Sequence, residues 1–84
     1  MLSKRFGLPV RITRHARERM RERSISKEEL LELLECGEVR KKDAQRMWVY
    51  HEFTGRDDNL VCAAVVKEQV LVIKTVMIRW ELVE

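Results

Sequence analysis

The sequence is short of the residues that would mark several familiar classes of protein. It has one proline and three glycines in 84 residues, and no repeat, linker or low-complexity segment. It has two cysteines, Cys36 and Cys62, neither in a CxxC pair, so a disulfide scaffold is unsupported. The expectation is two reduced, buried thiols in a cytoplasmic protein. The two histidines and two cysteines show no ligand spacing, so neither a metal nor another cofactor is expected. No apolar run reaches the roughly 18 residues that span a bilayer. The start, MLSKRFGLPV, lacks the apolar core and small-residue cleavage site of a signal peptide. Membrane association is therefore not expected. What remains is 45% hydrophobic, ordinary for a chain that buries one modest core, and residues 1–84 read as a single domain.

Charge is what the chain has in quantity, and it is unevenly placed. Residues 1–46 carry thirteen Lys or Arg against eight Asp or Glu, a balance of +5; residues 47–84 carry four against six, a balance of −2. Arginine leads in the basic half, and its planar fork suits phosphate or carboxylate. A polyanion partner is the expectation, set against a merely solvated surface.

Periodicity divides the chain into short elements. LPVRI (8–12) alternates like an edge strand, with Pro9 near its start. Thr13 can cap a helix whose apolar stripe is Ile12, Ala16 and Met20. Ser26 and Glu29 then form a capping box, and Ile25 and Leu30 stand at the two positions of a hydrophobic staple. A second helix therefore begins at Lys27, presents Leu30, Leu31, Leu33 and Leu34, and stops at Gly37. Glu38–Lys42 can add a short strand. RMWVYHEFT (46–54), LVCAAVV (60–66) and VLVIKTVMI (70–78) read as strands, with a turn at TGRDDN. Their short connections imply antiparallel neighbours. The order is β-α-α-β-β-β. The fold expected is α+β, two N-terminal helices packed on one face of a three- to four-stranded antiparallel sheet.

Most of the candidate chemistry lies in RHARERMRER, residues 14–23. His15, Arg19 and Arg23 repeat every four residues along one helical face, and Arg17 with Arg21 repeats the like charge. Each such pair costs an isolated helix about 0.2–0.5 kcal/mol, an arrangement that suits a partner better than solubility alone. A His15 imidazole in the first turn can act as a base or donate to a phosphate; equally, its ring can cap the preceding strand. His51 shares a strand side with Met47, Val49 and Phe53. Trp48 and Tyr50 point the other way, and are either core residues or stacking platforms. Lys74 interrupts an apolar strand, flanked by Val70, Val72, Val76 and Ile78. It needs water, an anion or a path to the sheet edge.

The stretch ITRHARERMRERSISKEELLELLECGEV resembles the start of the family called domain of unknown function 4258. The resemblance rests on His15-Ala16, Glu18-Arg19, Arg23 and Ile25-Ser26. It extends through RMWVY and GRDDNLVCAAVV to VIKTV, over most of residues 12–78. Ser24 stands where a glycine is usual, and the tail IRWELVE departs from the pattern. The resemblance implies a RelE-like fold, similar to the RelE, ParE and BrnT toxins. It also implies metal-independent RNA cleavage, in which a ribose 2′-OH attacks the adjacent phosphate. On that analogy His15, Arg19 and Lys74 would be catalytic. Arg14, Arg23, Arg46 and Thr75 would hold nucleic acid, and His51 is a second acid or base if its face opens toward the first helix. RNA or the ribosome, an antitoxin protein and a second copy of the chain are the partners implied. The alternative is a non-catalytic basic module for nucleic acid or an acidic protein.

Overall fold

The structure, a computed structural model, describes residues 1–57 and 60–80, Leu60 and Trp80 by their backbone alone. Its elements are β1 (Leu2–Ser3), β2 (Leu8–Ile12), α1 (Arg14–Glu22), α2 (Lys27–Cys36), β3 (Glu38–Lys41), β4 (Arg46–Glu52), β5 (Leu60–Lys67) and β6 (Leu71–Trp80). Both helix starts are built as their sequences dictate. The Thr13 hydroxyl accepts from the Ala16 N–H at 3.1 Å. Ser26 and Glu29 complete the capping box, with Ser26 N–H to Glu29 Oε1 at 2.9 Å and Glu29 N–H to Ser26 Oγ at 3.0 Å. Ile25 and Leu30, the staple pair, are both buried.

The expected layout, two helices on one face of a three- to four-stranded antiparallel sheet in RelE-like β-α-α-β-β-β order, is overturned. The sheet has six strands in the order β1-β2-β6-β5-β4-β3. It is mixed and curled into a half-barrel, so strands dominate the molecule. β2 runs parallel to β6, pairing Val10 with Leu71 and Ile12 with Ile73; the remaining pairs are antiparallel. Two causes defeat the sequence reading. A two-residue strand such as Leu2–Ser3 is too short to show alternation. Parallel pairing joins segments far apart in the chain, which a rule about short connections cannot see. Pro9 is accordingly not on the outermost strand, because it lies opposite Leu2 of β1.

The curl follows from the contacts of α2, which touches β1 at one edge of the sheet and also β4 and β5. Four inter-strand steps separate β1 from β4, roughly 19 Å if flat at about 4.8 Å each. A helix about 10–12 Å across meets both only if the sheet bends around it. Arg5 fastens the closure. Its N–H donates to Glu35 Oε2 at 2.8 Å, and its Nη1 donates to the carbonyls of Leu34 and Gly37 at the end of α2. Leu30, Leu33 and Leu34 of α2 and Ala16 and Met20 of α1 form one core with Met47, Val49, Val61, Ala63, Val65, Leu71, Ile73 and Val76.

The α1–α2 junction turns on Ser24, whose φ is +53°. Arg56 clasps this junction, donating to the carbonyls of Arg23 at 2.9 Å and Ser24 at 3.1 Å and to Glu29 Oε2 at 3.1 Å. In TGRDDN, Gly55 takes φ +88°; the turn positions assigned to Asp58 and Asn59 lie outside the described residues, as does the end of the tail, 81–84.

Lys74 is explained by a β-bulge. Ala64 pairs with Thr75 and Val65 with Ile73, which leaves Lys74 without an opposite residue. A bulge adds one residue and shifts the inward–outward alternation by one. Ile73 and Val76 are therefore both fully buried, and Lys74 and Thr75 occupy the interval between them. Val76 does not share the face of Lys74, contrary to the simple alternation.

Candidate nucleic-acid interface

The turn between β3 and β4 is organised by Asp43. Its carboxylate accepts from the N–H groups of Gln45 at 2.9 Å and Arg46 at 2.7 Å, and from Arg46 Nε at 2.7 Å. These donors, the Arg46 backbone first, lower the Asp43 carboxyl from its ordinary 3.8 to about 2. Arg46 is thus oriented at the start of β4. From there β4 alternates: Met47 and Val49 turn into the core, while Arg46 and Trp48 take the opposite face. Register carries that face across the sheet, Arg46 to Val66 and Trp48 to Ala64, then Ala64 to Thr75.

On this outer face a cavity of about 160 Å³ is lined by Lys42, Arg46, Trp48, Ala64, Val66 and Lys74. Three cations surround an apolar floor that includes an indole. Lys74 is exposed, and Trp48 and Ala64 are half-buried. An adjoining cavity of about 150 Å³ brings Lys41 and Lys67 to the same turn, beside Phe6 and Val39. The Lys67 N–H donates to the Gln45 carbonyl at 2.6 Å. The basic character is therefore not confined to the first half of the chain: Lys74 joins Lys42 and Arg46 in the first cavity, and Lys67 joins Lys41 and Arg46 in the second. Lys41, Lys42 and Lys67 were not singled out by the sequence. The signal available was the Lys41-Lys42 pair at a strand end, and only strand register links it to Lys74.

The arginine helix is arranged differently. His15 is exposed in the first turn of α1. Arg14, with a side chain 95% exposed, lies 3.5 Å from Glu18. Arg19 pairs with Glu22 at 2.6 Å. Arg23 caps the helix C-terminus and is half-buried; its Nη1 is buried with no hydrogen-bond partner among the described residues. The structure thus joins Arg46 and Lys74 in one cavity. It ties the start of α1 to the bulge through Thr13, whose hydroxyl lies 2.9 Å from the Ile73 carbonyl and 3.3 Å from that of Lys74. Thr75, beside Lys74, is half-buried opposite Ala64. His51 meets α2 rather than α1. Its Nε2 is 3.2 Å from Glu32 Oε2, and its ring stands edge-on to Phe53 with centroids 4.8 Å apart.

Among the polar neighbours, the Tyr50 hydroxyl donates to Glu38 Oε2 at 2.8 Å, and that bond raises its pKa. The cysteines separate in character. Cys62 is fully buried, and burial pushes its thiol up to about 12, which removes it from nucleophilic chemistry. Cys36, at the last position of α2, is exposed, against the expectation of two buried thiols. Among the described residues, no helix is long and apolar enough to cross a membrane.

Residues 12–78 match the family described as Domain of unknown function (DUF4258). The chain belongs to this family. The DUF4258 match opens at the last residue of β2 and closes within β6, so it encloses α1, the β3–β4 turn, Trp48 and the Lys74 bulge. β1 and the Arg5 clasp precede it. No curated protein and no solved structure matches the chain.

Proposed function

We propose that this DUF4258 protein binds RNA through the outer face of its half-barrel. The observation that supports this is the shared cavity of Arg46 and Lys74, two cations far apart in sequence that open, with Lys42, onto the same indole-floored hollow. Arginine and lysine in such a setting suit phosphate oxygens, and their binding releases counterions. The indole offers a face to a base.

A second reading adds cleavage and makes the protein a relative of the RelE, ParE and BrnT toxin ribonucleases. The Thr13 contacts favour it, because they hold the start of α1, with His15 two residues on, against the backbone of Lys74. In this reading the ribose 2′-OH loses its proton to a base and forms a bond to the adjacent phosphorus. The P–O5′ bond breaks, and the leaving oxygen takes a proton. His15 serves as base or acid and Lys74 stabilises the phosphorane charge; Arg19 is paired with Glu22, and Arg23, eight residues or about 12 Å along α1 from His15, is too far to share that phosphate. An antitoxin-like protein with acidic residues would then compete for the basic face.

The test uses purified protein in EDTA with labelled RNA, including ribosome-bound message. Binding is expected for the intact chain, and an affinity at least tenfold lower for Arg46→Gln/Lys74→Gln. If the intact chain cleaves, His15→Ala is expected to bind without cleaving. RNA that neither binds nor breaks across all substrates contradicts both readings.

A further inference from the structure

We infer that the cavity bounded by Lys42, Arg46, Trp48 and Lys74 is a pocket for one unpaired nucleotide, so that the ligand is single-stranded rather than duplex RNA. This rests on the RNA-binding reading and narrows it. Three observations carry it. The floor is apolar and aromatic, with Trp48, Ala64 and Val66 on one face of adjacent strands. Trp48 is half-buried. The cations stand on both sides of that floor: Arg46 on β4, Lys42 in the turn before it, and Lys74 on β6, two strands away. Arg46 lies across from Val66 and Val72, so two strand spacings and two residues along β6 separate it from Lys74, about 12 Å in all, and two residues along β4 separate Arg46 from Trp48, about 7 Å.

That geometry discriminates between forms of RNA. In an A-form duplex the bases are stacked inward and the protein meets phosphates and 2′-hydroxyls. A half-buried indole meets no open base face on such a duplex. A base splayed out of a single strand can enter the hollow and lie against Trp48, while its phosphates reach the flanking Arg46 and Lys74. Lys74, at the bulge in β6, lines the cavity.

The experiment measures binding of a short single-stranded RNA and of a duplex of the same length to the full chain. It is followed by tryptophan fluorescence in a Trp80→Phe background, so that the signal comes from Trp48. The single strand is expected to bind at least tenfold more tightly and to quench the indole. Trp48→Leu should lower single-strand affinity roughly 5- to 100-fold and leave duplex affinity unchanged. Trp48→Phe, which keeps an aromatic face, should stay within a few-fold of the parent and guards against a folding defect. Equal binding of both RNAs, no quenching and no effect of Trp48→Leu would overturn the inference while leaving RNA binding intact. Failure of both RNAs to bind would overturn the RNA-binding reading and this inference together.

Discussion

Ser24 holds φ at +53°, in the left-handed region that costs an L-residue with a Cβ about 1–2 kcal/mol. Arg56 holds the strained turn by donating to the Arg23 and Ser24 carbonyls. Glycine relieves the strain and loses more entropy on folding, so the two effects partly offset. Ser24→Gly should stabilise the chain by about 0.5–1 kcal/mol, read as a higher urea midpoint with an unchanged slope. The position was visible in the sequence as a serine where the family pattern has glycine, and the φ angle gives that departure its physical meaning. Lys74 was half legible. A lysine inside VLVIKTVMI announces a face that meets water, but nothing in the residue types reveals a bulge. Trp48 was left open between core and platform, because a strand aromatic has the same sequence signature in either place.

At the scale of elements, the helices were the legible part. Thr13, and Ser26 with Glu29, are local devices, satisfied by residues three positions away, so their outcome is written in the adjacent sequence. Gly37 ends α2 as read, but for a different reason from the usual left-handed cap. Its φ is −72°, open to any residue, and the constraint is space. A Cβ there would press on the Leu33 carbonyl oxygen and lie 2.7 Å from that of Tyr50 and 3.0 Å from Val49 Cγ1. Two of these are backbone atoms that cannot turn aside. Gly37→Ala should cost about 1–3 kcal/mol by shifting α2 from β4, measured as a lower melting temperature.

The β3–β4 turn makes a prediction of its own. The Asp43 carboxyl is held at about 2 against an ordinary 3.8, so the folded chain binds that proton less readily than the unfolded chain. Its contribution to stability is fully present above about pH 4 and is lost as pH falls toward 2. Denaturation followed between pH 5 and 2 should show this loss, and Asp43→Asn should remove that part of the pH dependence.

The whole molecule was the least legible. Apolar and β-branched runs identified the strands, but their assembly into a six-stranded mixed half-barrel depends on β2 finding β6 across most of the chain. It also depends on β1 being clasped to α2 by Arg5, and both are non-local. The same non-locality hid the basic face. The charge asymmetry placed the cations in the first half of the chain and drew attention to α1. Folding instead brings Lys74, from the acidic half, beside Lys42 and Arg46 on the outer face, and Lys67 beside Lys41 in the adjoining cavity.

On the RNA-binding proposal, Arg46 and Lys74 grip RNA phosphates. The most direct measurement is the salt dependence of RNA affinity for the parent chain and for Arg46→Gln/Lys74→Gln. Each phosphate contact on a single strand contributes about 0.7 to the slope of log K against log salt. The double variant is expected to bind more weakly, with a slope shallower by about 1.4. Identical affinities and slopes would place the RNA contacts elsewhere and contradict that proposal.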